Sequence, residues 1–148
     1  MRGSKAIKLL LVEDNPDDVE IAIRALRKSC DICDIRVVRD GEEALRLLVR
    51  DGDQDLDTLR PDLILLDLNL PKVSGFDVLE KIKNSDGLSS IPVVVLTVSE
   101  REEDIVNSYH LGANTYITKP VDFAKFTHAV DTLWEYWMVI AKLPLPAA

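Results

Sequence analysis

Three carboxylates, a hydroxyl and an ammonium recur at the same kind of place in this chain. Glu13 and Asp14 follow the apolar run Ile7 to Val12 (IKLLLV), and Asp67 follows Asp62 to Leu66 (DLILL). Thr97 follows Pro92 to Leu96 (PVVVL), and Lys119 follows Thr115 to Thr118 (TYIT). Each run reads as a strand, and in a parallel sheet their carboxyl ends share one edge, where open α/β sheets bind ligands. Carboxylates gathered there repel one another unless a positive charge sits among them. A hard divalent cation with oxygen ligands is the natural neutraliser, and Mg2+ suits a small carboxylate cluster that keeps waters. Lys119 supplies the remaining positive charge. A metal, a lysine and a hydroxyl around one carboxylate make a site able to stabilise a phosphoryl group on that carboxylate.

The elements that must position these groups alternate along the chain. After the first strand, Asn15 is placed to cap a helix and Pro16 suits its first turn. Val19, Ala22, Ile23 and Leu26 then follow at i, i+3, i+4 and i+7, one helical face. Asp34 to Arg39 reads as a weaker strand, Gly41-Glu42-Glu43 opens a second helix, and the polar stretch Asp51 to Arg60 reads as a surface loop. Asp62 to Leu66 is the third strand, and Gly75 starts a helix carrying Val78, Leu79 and Ile82. Asn84 to Ser90 is a turn-rich link to the fourth strand, which is rich in β-branched residues. Glu100 to Leu111 is a fourth helix with Gly112 as its stop, and Asp122 starts the last helix after the short fifth strand. Five βα units with short connections imply an α/β fold, a five-stranded parallel sheet with helices on both faces and right-handed crossovers. Residues 1–6 read as a tag or disordered N-terminus, 7–141 as one domain with an extended last helix, and 142–148 as a tail.

Composition narrows the classes of function. A chain of 148 residues is one ordinary domain, and 47% hydrophobic with 30% charged residues is a globular composition. The 26 acidic residues outnumber 18 basic ones, for a net charge of −8, the wrong sign for a protein whose main partner is nucleic acid. No apolar run reaches the ~18 residues that span a bilayer, and two cysteines cannot build a disulfide framework, so a cytoplasmic setting without membrane contact is expected.

The residues in these positions resemble the response-regulator receiver domains of two-component signalling, from about Ile7 to Trp137. The matching motifs are Leu11-Val12-Glu13-Asp14-Asn15, Leu65-Leu66-Asp67-Leu68-Asn69-Leu70-Pro71, Gly75, Leu96-Thr97 and Thr118-Lys119-Pro120, with Tyr116 three residues before the lysine. The run Asn15-Pro16-Asp17-Asp18 and the tail Trp134-Glu135-Tyr136-Trp137 resemble the single-domain regulators that partner with phytochrome-type histidine kinases. The resemblance implies a flavodoxin-like (βα)5 fold. It implies that Asp67 accepts a phosphoryl group from a sensor histidine kinase. Asp14, Asp67 and the backbone carbonyl of Asn69 would hold Mg2+, with Glu13 reaching it through water. Thr97 and Lys119 would contact phosphoryl oxygens, and a cis Lys119–Pro120 bond would aim the lysine. Thr97 and Tyr116 would form the switch. The only chemistry implied is transfer to and hydrolysis from the chain's own aspartate. A phosphorelay shuttle, a phosphate sink and a constitutive dimer scaffold are alternatives that the same residues allow.

Some features depart from that pattern. Val98 stands after Thr97, where the family has a small residue, and would narrow access to the phosphoryl group or limit the path of Tyr116. Asn69 and Ser99 occupy the variable positions expected to border the attacking water and tune the phosphate lifetime. Cys30 and Cys33 form a C-x-x-C pair, but a helix end raises a thiol pKa and no histidine has metal-like spacing to them, so a structural role is expected. The alternating Asp51, Asp53, Asp55 and Asp57 lack the glycine and glutamate of a calcium loop.

In the last helix Phe123, Phe126, Val130, Leu133, Trp137 and Ile140 are spaced 3, 4, 3, 4 and 3, with Trp134, Met138 and Ala141 widening the stripe. A helix of ~18 residues is about 27 Å long and overhangs strands of ~17–20 Å. The first half of the stripe is expected to pack on the sheet as core, while the last two turns, with Trp134, Trp137 and Met138, overhang it. Phe126, Val130, Trp134, Trp137 and Met138 together are expected to border an interface for a symmetric homodimer, with a downstream protein still to be identified. A flavin module on the same fold wants a phosphate-binding loop after strand one, where this chain has repelling carboxylates. An aspartyl phosphatase needs a second acid two residues beyond its nucleophile, where this chain has Asn69.

Overall fold

The computed structural model describes residues 7–29, 33–48, 60–119 and 122–137. The strands are β1 (Lys8–Val12), β2 (Asp34–Val38), β3 (Leu63–Leu66), β4 (Val93–Thr97) and β5 (Thr115–Thr118). The helices are α1 (Pro16–Ser29), α2 (Gly41–Leu48), α3 (Gly75–Lys83), α4 (Glu102–His110) and α5 (Phe123–Glu135). All strand pairs are parallel, and the sheet order is β2-β1-β3-β4-β5, the flavodoxin-like arrangement. The central strands β1, β3 and β4 are buried on both faces, as continuous apolar runs require, whereas the edge strand β2 alternates. Two clusters of buried side chains result. One lies under α1 and α5, around Leu9, Leu26, Phe126 and Trp134; the other lies under α2 and α3, around Leu10, Ile64, Val78 and Ile82.

Local chemistry sets the helix starts. The Asn15 side-chain oxygen accepts from the N–H groups of Asp17 (2.9 Å) and Asp18 (3.3 Å), which caps α1 with Pro16 in its first turn. Ser74 caps α3 by accepting from Asp77, and Asp122 caps α5 by accepting from Ala124 and Lys125. Gly112, at φ 109°, ends the α4 segment in a conformation that a side chain disfavours. Gly75 approaches the β3 end so closely that a Cβ would lie 2.3 Å from the Asp67 carbonyl oxygen. The loop carrying Asp67 and the start of α3 are therefore packed backbone to backbone.

Three expectations are corrected. Strand β3 begins at Leu63, one residue later than expected; Asp62 joins β1 only through its own N–H to the Lys8 carbonyl (2.7 Å), while the Lys8 N–H donates to the Asp62 carboxylate (2.9 Å) rather than to a β3 carbonyl. Helix α4 spans Glu102–His110, two residues shorter at its start than expected, because the Ser99 hydroxyl and the Arg101 N–H form a turn ahead of it. The third correction concerns α5. Phe126, Val130 and Trp134 are all buried in the chain's own core, so the core extends past the first half of the stripe and little of these side chains is left to meet a partner. The 13 residues of α5 run alongside the 14 residues of α1, and that neighbouring helix, not the shorter strands, sets how far the apolar stripe is covered. Trp137 is partly buried against the same cluster, and a π-type turn carries it and Tyr136. The expectations for residues 1–6, Cys30, 51–59, Pro120, Met138 and 139–148 lie outside the described residues.

Candidate functional site

Parallel pairing brings the five chemical groups to one edge. The Glu13 N–H donates to the Val38 carbonyl (3.0 Å), the Asp67 N–H to the Val12 carbonyl (3.0 Å), and the Lys119 N–H to the Thr97 carbonyl (2.7 Å). Glu13, Asp67 and Lys119 are thus tied by their backbones to the adjacent strands. Beside them lies a cleft of about 420 Å³ lined by Glu13, Asp14, Asn15, Pro16, Asp17, Asp18, Asp67, Asn69, Val98 and Lys119.

One carboxylate oxygen each from Glu13, Asp14 and Asp67 lies within 4.8 Å of the others. Oxygens around one octahedral Mg2+ at ~2.1 Å stand ~3–4 Å apart, so small side-chain adjustments close this set on a single hard cation. Glu13 and Asp67 are buried while Asp14 faces solvent, which leaves room for metal-bound waters. The donor set therefore fits a divalent metal.

Lys119 is the positive counterpart. Its side chain is 5% exposed, and its Nζ donates to Glu13, to Asp18 Oδ2 (2.8 Å) and to Asp67 Oδ2 (3.3 Å). Burial works against the ammonium, but the hydrogen bonds to Asp18 and Glu13 and the charge of Asp67 outweigh it, and the Lys119 pKa is raised. Glu13 moves for the opposite reason. Burial disfavours its charged form more than the hydrogen bond from Lys119 favours it, and the charge of Asp67 adds to the burial, so its pKa is pushed up to about 7.

The Asp67 side chain also accepts from the Asn69 N–H (3.3 Å), which orients one oxygen. Thr97 is fully buried, and its hydroxyl has no hydrogen-bond partner among the described residues. A donor left unpaired at a strand end has free-energy reason to meet an anion placed there.

The flanking residues divide. Val98 lines the cleft and is 64% exposed, so its side chain stands at the mouth rather than inside. Ser99 does not line the cleft. Its hydroxyl donates to Asp104 Oδ2 (2.6 Å) and accepts from the Arg101 N–H (3.2 Å), which commits it to the start of α4. The Ser99 carbonyl accepts from the Tyr116 hydroxyl (2.9 Å), and the Tyr116 N–H donates to the Tyr109 hydroxyl (3.0 Å). Tyr116, partly buried against the second core cluster, is thereby linked to the loop that follows Thr97, and burial raises its pKa. Sequence reasoning missed the contact of Asp18 with Lys119 and the tie between Ser99 and Asp104. Asp18 had one available signal, its place in the first helical turn after the acidic strand end.

A family model for the response regulator receiver domain matches residues 9–131. Response regulator Rcp1 of Synechocystis sp. is 39% identical over 136 residues, covering 92% of this chain and 92% of its own length. Among solved structures, the phosphorylated cyanobacterial phytochrome response regulator RcpA superposes with a TM-score of 0.88 at 44% identity, covering 95% of this chain and 99% of that one. The Mn2+-bound form of response regulator Rcp1 superposes with a TM-score of 0.86 at 37% identity, covering 94% and 99%.

Proposed function

This chain belongs to the response regulator receiver family, and on that premise we propose that it takes a phosphoryl group from a phytochrome-type histidine kinase onto Asp67. The observation that carries this reading is the cluster itself: Asp67 buried beside Lys119 and completing, with Glu13 and Asp14, a three-carboxylate metal set. In the transfer, an Asp67 oxygen attacks the phosphorus of the kinase phosphohistidine. The P–N bond breaks, the histidine nitrogen keeps its electron pair, and an acyl phosphate forms. Hydrolysis reverses the gain, as water attacks the phosphorus and the carboxylate leaves.

Mg2+ is the proposed cation, held by Asp14, Asp67 and the Asn69 carbonyl with Glu13 behind a water, and it would neutralise charge on the transferring oxygens. Lys119 offers a charge-assisted hydrogen bond to one phosphoryl oxygen, and the unpaired Thr97 hydroxyl offers one to another. Such bonds are worth about 1.5–3 kcal/mol each. Two of them approach the ~5 kcal/mol needed to swing a two-state equilibrium strongly. Movement of Thr97 would be felt at Ser99, whose carbonyl holds the Tyr116 hydroxyl, and so at α4. No reaction on a separate substrate belongs to the proposal.

The proposed output is a change in a dimer or partner-binding face. It is supported by exposed Val106 and Tyr109 on α4, and by an apolar groove of about 580 Å³ between β5 and α5 that Ile117, Leu133 and Trp137 help to line. The test uses an autophosphorylated phytochrome-type kinase carrying labelled phosphate, mixed with this chain and Mg2+. Label passing to the wild type and not to Asp67→Asn, with a change in molar mass by light scattering, is expected. Label that stays on the kinase overturns the partnership.

A further inference from the structure

Lys119 reaches the site from the end of β5, and one of the three carboxylates that hold its ammonium comes from α1. Its three N–H donors are all used, on Glu13, Asp18 and Asp67. Two of these acceptors also belong to the metal set, and the contact to Asp67, at 3.3 Å, is longer than that to Asp18, at 2.8 Å. A bound cation draws on Glu13 and Asp67, and a phosphoryl group changes Asp67 itself. Asp18 lies outside the set of Glu13, Asp14 and Asp67 and carries neither claim. Its backbone is fixed by the Asn15 cap, and its carboxylate sits in the first turn of α1, where the helix dipole favours a negative charge.

We infer that Asp18 is a positioning residue: it anchors the Lys119 ammonium through metal binding and phosphorylation, so that the lysine can exchange its bond to Asp67 for one to the phosphoryl oxygen. This rests on the reading of Asp67 as the phosphoacceptor. Positioning and net charge pull in opposite directions at Asp18. Removing the charge of Asp18 lowers the negative potential of the cleft, and charge alone then favours an incoming anion. Loss of positioning disfavours it, because an untethered lysine loses rotamer order that it must recover on binding.

The experiment titrates beryllofluoride, a phosphoryl mimic, into the full chain with Mg2+ and follows bound fluoride by 19F NMR. Asp18→Asn is expected to weaken binding about tenfold, equivalent to about 1.4 kcal/mol. Asp18→Glu, which restores the carboxylate one methylene farther out, is expected to fall between Asp18→Asn and wild type. In a Lys119→Ala background, Asp18→Asn is expected to have no further effect. Unchanged or tighter binding in Asp18→Asn, or an equal loss without the lysine, overturns the inference. Should Asp18→Asn unfold α1, the Asp18→Glu titration decides alone, and wild-type affinity there overturns the inference. An Asp67→Asn control that still binds beryllofluoride would instead defeat the phosphoacceptor reading.

Discussion

The carboxyl edge of the sheet and the far turns of α5 were equally conspicuous as patterns, one of charges and one of aromatics, yet the structure treats them differently. At the sheet edge Glu13, Asp67 and Lys119 stand together, each tied to an adjacent strand by a backbone hydrogen bond. Along α5 the stripe that looked like an interface closes instead on α1, and Trp134 is 8% exposed. The difference lies in what each pattern admits. Charges at the ends of buried strands have no apolar place to go, so strand order and parallel pairing bring them together. An apolar stripe is satisfied by any covering surface, and which one depends on the length of a neighbouring helix.

The same contrast explains how much was legible. The order of five βα units, the helix caps at Asn15 and Asp122, and the meeting of Asp14, Asp67 and Lys119 follow from local residue types. The burial of Trp134 needs the packing of α5 on α1, and the Asp18 contact needs the side chain of one helix to meet that of a distant strand end. The partner of Ser99 was hidden for a related reason. Its position borders the site, but Asp104, five residues on, captures its hydroxyl.

The contrast can be broken most directly at Trp134. Trp134→Ala is expected to cost ~3–5 kcal/mol of folding stability in denaturant titration, the range for truncating a buried tryptophan. Unaltered stability with an altered molar mass would return Trp134 to an interface. At the other region, Lys119→Met removes the buried cation from among Glu13, Asp18 and Asp67. It is expected to cost ~3 kcal/mol in EDTA, much of it recovered in millimolar Mg2+. A loss that Mg2+ leaves untouched would mean that the carboxylates do not share a cation.

A smaller effect is expected from pH. Glu13 has a folded pKa of about 7 against an ordinary 4.5, so folding favours its protonated form. Its stabilising contribution is complete below pH 4.5 and is lost as pH rises through 7, while that of Lys119, whose pKa is raised, persists across this window. The metal-free protein should therefore lose stability between pH 4.5 and 7, and Glu13→Gln should flatten that slope. An unchanged slope in the variant would show that burial of Glu13 is not its source. The smallest effect belongs to Tyr136, 49% exposed beside Trp137 in an edge-to-face pair at 5.3 Å. Tyr136→Ser is expected to change monomer stability by under ~1 kcal/mol, whereas a larger loss would extend the core to the end of α5.

In the proposed function Asp67 is the one phosphoacceptor, served by a metal held among carboxylates. Intact-protein mass after incubation with acetyl phosphate tests it without a kinase. A single phosphoryl adduct is expected on the wild type with Mg2+, and none in EDTA or on Asp67→Asn. An adduct of the same extent on Asp67→Asn, or one indifferent to Mg2+, would contradict it.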